Sequence, residues 1–198
     1  SLNGEAQAIK YAADNGAVIC QNSWGYTAGT ISVTDWTRGS YSALSRAMEY
    51  FNKYAGLDEN GNQTGPMAGG IVLFAAGNDA SSEVCYPAAD ANAISVGATA
   101  FTGAPAYYTN YGPGCNIAAP GGDAYQSYLE NINTGASEVL STVNGGKYGY
   151  MQGTSMACPH VSGVAALGLS YALQLGKTFT QNEFTTLLLT SVNDINQY

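Results

Sequence analysis

The chain has 198 residues, of which 45% are hydrophobic, and its 25 glycines are spread along its length. It is long enough for one domain with a sizeable core, and it is neither disordered nor fibrous in composition. Six lysines and arginines against fourteen acidic residues give a net charge of −8, and the scattered cations form no phosphate-binding stripe, which argues against nucleic acid and anionic membranes as partners.

Apolar spacing predicts the elements of the first half. Helical periodicity indicates a helix over 4–15 and another over 40–55. Three short apolar runs predict strands buried on both faces of a parallel sheet: 17–20, 70–76 and 93–98.

The second half continues the alternation. Further strands are predicted at 115–121, 139–143 and 148–151. A long helix is predicted over 154–175, and a last helix opens at Thr180, which forms a capping box with Glu183. No apolar run approaches the roughly 18 residues that span a bilayer, so no membrane span is expected. The alternation predicts an α/β layered fold with a mostly parallel sheet, whose sites gather outside the carboxyl ends of the strands.

The most informative segment is 153–163, with the sequence GTSMACPHVSG. Ser155 lies between a glycine-rich turn and the start of an apolar helix, where free backbone N–H groups and the positive end of the helix dipole stabilise an oxygen anion. Pro159 has no N–H, so the Ser155 carbonyl lacks its usual helical partner. The pattern resembles the nucleophile segment of the subtilisin-like serine peptidases (subtilases). The resemblance implies that Ser155 attacks a peptide bond. No cofactor is expected, and no residue is assigned as a metal ligand.

A second signal is the segment 75–78, with the sequence AAGN, which follows a predicted strand. A glycine lets the backbone turn there, and the Asn78 carboxamide projects into the crevice at the strand end. The segment is similar to the oxyanion-binding segment of the subtilases, which implies that Asn78 and the Ser155 N–H bind the anion of a tetrahedral intermediate. The structural alternative is an asparagine that only caps a strand.

A third segment, 22–25, resembles the family's substrate-binding segment, which pairs its backbone with an extended peptide. The resemblance assigns substrate binding to Ser23, Trp24 and Gly25. Trp24 is either a pocket wall or core packing. The other wall is expected from four small residues: Ala75, Ala76, Gly77 and Gly153.

The chain offers Ser155 no evident base. A serine hydroxyl needs one, usually a histidine oriented by a carboxylate. The one histidine, His160, lies five residues after Ser155, and at ~100° per residue the two side chains point ~140° apart on a helix. The family's D-[ST]-G and H-G-T-H segments are missing, so residues 1–198 resemble the C-terminal portion of a single peptidase domain. The resemblance implies a three-layer α/β/α fold without its N-terminal strands, whose exposed edge is covered by its own N-terminal fragment or by a second copy. The chain alone is expected to be inactive or nearly so.

Other readings stay open. A sedolisin-like acid peptidase shares the fold, although Asn78 and the continuation 156–160 argue against it. A non-catalytic peptide-binding pseudopeptidase would lack a working Asp and His upstream. Family resemblance also implies a secreted or cell-envelope location.

The cysteines fit no zinc spacing. Cys20 and Cys158 are expected to be buried free thiols, whereas Cys85 and Cys115 lie in loop-like sequence and could pair in an oxidising compartment.

One loop has an alternation that resembles a calcium site. Asp58, Asn60 and Asn62 alternate as calcium ligands do, but Gln63 replaces the expected glycine and no bidentate acid follows. A solvated loop without metal is predicted.

Overall fold

A computed structural model describes residues 2–129, 131 and 137–195. The helices are α1 (Leu2–Asp14), α2 (Val33–Arg38), α3 (Ser42–Tyr54), α4 (Ala124–Leu129), α5 (Thr154–Gln174) and α6 (Gln181–Thr190). The strands are β1 (Ile19–Asn22), β2 (Met67–Ala68), β3 (Ile71–Ala75), β4 (Ala93–Thr99), β5 (Ile117–Pro120), β6 (Val139–Val143), β7 (Lys147–Met151) and β8 (Phe179–Thr180).

Four parallel strands form the main sheet in the order β1-β3-β4-β5. The alternation of side chains along β3 divides the core into two layers. Val72 and Phe74 pack with α1 and α3, whereas Leu73 packs on the opposite face with α5 and α6. All of these β3 side chains are fully buried. The predicted α/β fold with helices on both faces of a parallel sheet is therefore confirmed.

The first strand differs from its prediction. It was expected at 17–20 and buried on both faces, but β1 begins at Ile19, is half-buried, and leaves Gln21 exposed. Within the described part of the chain β1 pairs only with β3, so its second edge has no ladder partner. An edge strand is covered on fewer sides than a central strand, which explains the exposure.

The elements that the sequence analysis missed are short. The α2 and α4 helices have six residues each, and the only sequence signal for each is a capping side chain. Ser32 accepts a hydrogen bond from the Asp35 N–H at 3.1 Å, and Asp123 accepts one from the Gln126 N–H at 3.0 Å. Strands β2 and β8 have two residues each and depend on pairing with each other. The predicted strands at 139–143 and 148–151 are β6 and β7, an antiparallel hairpin outside the main sheet.

The α5 helix is the central element of one face. By length and composition alone it could cross a membrane, with a mean hydropathy of 1.3. It instead packs against β1, β3, β4 and β5, as the core helix of a layered fold does. The capping box predicted for the helix that follows it is confirmed, since Thr180 accepts from the Glu183 N–H and Glu183 accepts from the Thr180 N–H.

All four cysteines are free thiols, so the pairing that Cys85 and Cys115 could have made is not present. Cys158 is buried as expected, and Cys20 is half-buried because it lies on the edge strand. The loop around Asp58 is exposed and is held by the Asp58 carboxylate, which accepts the N–H groups of Asn62 at 2.8 Å and Asn60 at 2.9 Å. These donors lower the pKa of Asp58.

Candidate active site

The Ser155 side chain lies at the first turn of α5. The residue before the helix, Gly153, has a φ of 147°, a conformation that a residue with a Cβ rarely adopts. Because Ser155 lies in the first turn, its backbone N–H has no intrahelical acceptor and points out of the helix end. The hydroxyl is half-buried and donates a long hydrogen bond of 3.4 Å to the Ser23 carbonyl.

The Ser155 carbonyl has no helical donor, because Pro159 lacks an N–H. It accepts a hydrogen bond from a residue that follows β1 instead. The Ser23 hydroxyl donates to the Ser155 carbonyl oxygen at 2.8 Å. A side chain just after β1 therefore replaces the missing helical N–H, and the two reciprocal contacts of Ser23 and Ser155 tie the end of β1 to the start of α5.

The Asn78 carboxamide is held in one orientation by Thr154. The backbone N–H and the hydroxyl of Thr154 both donate to the Asn78 Oδ1 at 2.9 Å. The same hydroxyl accepts the N–H of Gly77 at 3.2 Å, and Thr154 is fully buried. A backbone N–H can only donate, so it identifies the amide oxygen and leaves the Asn78 Nδ2 on the open side. No pattern in the sequence marks Thr154 for this role.

Two N–H donors lie near Gly153 at the N-terminus of α5. An ideal Cβ position on Gly153 lies 3.7 Å from the Asn78 Nδ2 and 3.7 Å from the Ser155 backbone nitrogen. Neither nitrogen has an acceptor among the described residues. Two preorganised N–H donors at a helix N-terminus can stabilise an oxygen anion that forms on an attacked carbonyl.

Asn110 organises the turn that carries Asn78. It is buried, and its Oδ1 accepts the N–H groups of Asp79 at 2.9 Å and Ser81 at 3.2 Å. Its Nδ2 donates to the Ala76 carbonyl at 2.9 Å. Gly77 has a φ of 104°, and a Cβ there would collide with the Asn110 side chain. The glycine in this turn is thus required both by its conformation and by the close approach of Asn110, which no local pattern in the sequence reveals.

A cavity of about 290 Å³ opens beside these groups. Its lining residues are Trp24, Gly25, Tyr26, Thr27, Ala75, Gly77, Asn78, Asp79, Cys85, Thr154 and Ser155. Of the expected substrate-binding residues, Trp24, Gly25, Ala75 and Gly77 line this cavity, whereas Ser23, Ala76 and Gly153 are not among its lining residues.

Trp24 belongs to the cavity wall and to the core. Its ring makes an edge contact with Phe74 at 5.1 Å between centroids, and its Nε1 donates to the Asn22 Oδ1 at 3.3 Å. Trp24 therefore packs on the core and also lines the cavity, and its substrate-binding role stays a prediction.

His160 is held away from the nucleophile. Its Nδ1 lies 2.8 Å from the Met156 carbonyl oxygen one turn earlier, and the ring is exposed. Among the described residues the Ser155 hydroxyl has one hydrogen-bond partner, the Ser23 carbonyl, which is not a base.

Comparison with known proteins points to one family. The family model described as the subtilase family, Peptidase_S8, matches residues 2–197. The extracellular basic protease of Dichelobacter nodosus is 40% identical over 130 residues, which are 65% of this chain and 20% of the relative. The thermophilic serine proteinase of Bacillus sp. (strain AK1) is 35% identical over 168 residues, which are 84% of this chain and 32% of the relative.

Solved structures agree in fold. The prenylagaramide maturation protease PagA is 26% identical with a TM-score of 0.73, and the match covers 100% of this chain and 60% of PagA. The epidermin leader peptide processing serine protease of Staphylococcus aureus is 25% identical with a TM-score of 0.76, and the match covers 99% of this chain and 50% of that protein. The chain thus spans about a fifth to a third of these two curated relatives and a half or slightly more of these two solved structures.

Replacement of Asn110 by leucine tests its role in the turn. The change removes the acceptor of the Asp79 and Ser81 N–H groups and leaves buried polar groups unpaired, which costs about 2–3 kcal/mol of unfolding free energy. Hydrogen exchange of the Asp79 and Ser81 amides should accelerate at least about tenfold.

The matched control is Asn116→Leu, since the Asn116 Oδ1 accepts a single N–H, that of Ser95, at 2.8 Å. It should leave exchange at Asp79 and Ser81 unchanged. Equal exchange at these two amides in both variants would contradict the assignment.

Proposed function

Since the chain belongs to the subtilase family, we propose that the polypeptide containing it is a serine endopeptidase that hydrolyses peptide bonds through an acyl-enzyme on Ser155. The observation that carries the proposal is the pair of N–H donors, the Asn78 Nδ2 and the Ser155 backbone nitrogen, which both lie 3.7 Å from an ideal Cβ position on Gly153. Relatives named as extracellular proteases support a secreted location.

The reaction follows from the positions of these groups. The Ser155 Oγ attacks the substrate carbonyl while a base takes its proton, and the carbonyl oxygen becomes an anion that accepts hydrogen bonds from the two donors. Collapse of this intermediate expels the amine and leaves an ester on Ser155, which water then hydrolyses. Because Thr154 fixes the Asn78 amide before substrate binds, no reorganisation is needed when the charge forms.

The base and the carboxylate that orients it come from a part of the domain outside these 198 residues. The support is the position of His160, whose Nδ1 faces the Met156 carbonyl of its own helix. General-base catalysis contributes about 10²–10⁴-fold, so the chain alone retains only the contribution of the anion site.

We propose that this missing part packs on an apolar face of α5. Val164, Leu167 and Tyr171 follow helical spacing on this helix and are 60%, 73% and 63% exposed. Gly163, on the same face, has open space at its Cβ position, which permits close approach of another element. The free edge of β1 offers unpaired backbone groups as well.

The remainder of the same peptidase domain is the occupant that fits this face. The chain spans only 60% of PagA while all of it superimposes, so that protein has additional polypeptide beyond the shared fold. A helix that is apolar on all sides is normally buried on all sides, and α5 has the sheet on one side only.

A non-catalytic pseudopeptidase is the second candidate, and the absence of a base among the described residues favours it. Such a protein would keep the cavity and the converging donors but would bind peptides without cleaving them. A sedolisin-like enzyme would instead supply a carboxyl base and be active only at acidic pH.

A fluorophosphonate probe tests the nucleophile and the missing base together. The probe should label Ser155 in the complete polypeptide at least about 100-fold faster than in the 198-residue chain, because only the complete polypeptide supplies the base. Ser155→Ala should abolish labelling in both, as followed by mass spectrometry. Equally rapid labelling of the short chain would defeat the missing-base argument, and slow labelling of both would favour a pseudopeptidase.

Leu167→Asp in the complete polypeptide tests the α5 face. A carboxylate buried there without a partner should cost about 3 kcal/mol of unfolding free energy, measured in urea. Tyr11→Asp, at a residue 68% exposed on α1, should change it by about 0.5 kcal/mol or less.

Two outcomes would count against that packing. An equal, small effect of both variants would mean that the face stays open. A dimer in analytical ultracentrifugation that Leu167→Asp dissociates would mean that a second copy covers it.

A further inference from the structure

The cavity beside Ser155 contains one charged side chain. Three of its lining residues can ionise in water: Tyr26, Asp79 and Cys85. Burial, together with the nearby Glu5 carboxylate, raises the pKa of Tyr26 to about 12. Burial, together with the Asp79 charge, raises the pKa of Cys85. The phenol and the thiol therefore stay neutral near neutral pH, which leaves the carboxylate of Asp79 as the charge of the cavity.

The Asp79 carboxylate is fixed but not saturated. Its Oδ2 accepts the Ala28 N–H at 3.3 Å and the Asn110 Nδ2 at 3.2 Å, both long hydrogen bonds. A carboxylate has about four acceptor positions, and Oδ1 has no partner among the described residues. No lysine or arginine of the described chain forms an ion pair with it.

The surroundings add negative charge. The Glu83 carboxylate closely approaches Gly29, which follows the Ala28 donor, and an added Cβ at Gly29 would collide with it. The chain as a whole carries a net charge of −8. A cavity that carries charge of one sign concentrates ligands of the opposite sign.

The walls suit a side chain with an apolar stem. Trp24, Gly25 and Ala75 contribute an indole ring and small groups to the lining. Cys85 is 6% exposed, and its thiol donates to the Tyr26 carbonyl at 3.1 Å. Lysine and arginine have apolar stems that pack on such surfaces while the charged head reaches a partner. Removing a cation from water without a partner is costly, and a carboxylate within reach offsets part of this cost.

We propose that this cavity selects a lysine or arginine side chain of the substrate, on the residue whose carbonyl Ser155 attacks, and that Asp79 is the residue that determines this preference. The inference rests on the proposed peptidase function for the identity of the ligand. The charge selection itself is a property of the cavity and does not require catalysis.

The Cys85 thiol provides a probe of the cavity that is independent of catalysis. Two methanethiosulfonate reagents of similar size, one with an aminoethyl group and one with a sulfonatoethyl group, form mixed disulfides with it and release methanesulfinate. Their rates at Cys85 are measured at pH 8 in the complete polypeptide by peptide mass mapping, and each is divided by its rate with free 2-mercaptoethanol. Asp79 also affects the fraction of Cys85 that is ionised to thiolate. This fraction is the same for both reagents, so it cancels in the ratio of the rate with the cationic reagent to the rate with the anionic reagent.

Asp79→Asn should lower this ratio at least about tenfold, which corresponds to about 1.4 kcal/mol. The matched control is Glu59→Gln, which removes an equal charge from the exposed 57–63 loop and should leave the ratio unchanged within about twofold. An unchanged ratio in Asp79→Asn would overturn the proposal. Failure of both reagents to reach Cys85 would overturn it as well, because the cavity would then be closed to an aminoethyl group.

Peptide hydrolysis separates the two proposals. With peptides that differ only in lysine or norleucine before the scissile bond, Asp79→Asn should lower the lysine-to-norleucine ratio of kcat/KM at least about tenfold. If the complete polypeptide cleaves no peptide but the labelling ratio falls as expected, the proposed function fails and the cation-selective cavity stands. If peptides are cleaved and neither ratio changes, the cavity inference alone fails.

Discussion

The rest of the site depends on the hydrogen bonds that Thr154 donates to the Asn78 amide oxygen. These two hydrogen bonds of 2.9 Å join the turn after β3 to the first residue of α5, the fully buried Thr154. An exposed asparagine would otherwise sample several rotamers and offer either its oxygen or its nitrogen to a ligand. Binding of the oxygen by a backbone N–H leaves only the nitrogen for the open side, where the Ser155 N–H already points.

The fold makes this contact available. Parallel strands present their carboxyl ends at one edge of the sheet, so the segments after β1 and β3 arrive together at the N-terminus of α5. Local features then bring these segments into contact. Gly77 and Gly153 adopt positive φ angles, and the Ser23 hydroxyl replaces the N–H that Pro159 lacks as the donor to the Ser155 carbonyl. The buried Asn110 side chain stabilises the turn that carries Asn78, since it accepts the Asp79 N–H and donates to the Asp79 carboxylate. The same turn thus carries Asn78, the proposed hydrogen-bond donor to the anion, and Asp79, the carboxylate that lines the cavity.

Much of this arrangement could be predicted from the sequence, because it depends on local signals. Apolar periodicity located the strands of the main sheet and the long helices to within a few residues. The segments around Ser155 and Asn78 pointed to two residues that the structure places in the lining of one cavity. Thr154 and Asn110 were not recognised, since their partners lie 76 and about 30 residues away and no spacing rule reports such contacts. The two-residue strands β2 and β8 were not predicted either, since they depend on pairing with each other across more than 100 residues. The exposure of β1 followed from its edge position, which a strand's own composition does not reveal.

A double-mutant cycle between Thr154 and Asn78 in the complete polypeptide tests the central claim most directly. Asn78→Ala should lower kcat by about 10²–10³-fold with little change in KM, because the lost donor acts on the transition state. Thr154→Val should lower kcat in the native background but cause no further loss in the Asn78→Ala background, because Thr154 acts through the Asn78 amide. An equal loss from Thr154→Val in both backgrounds would contradict the account.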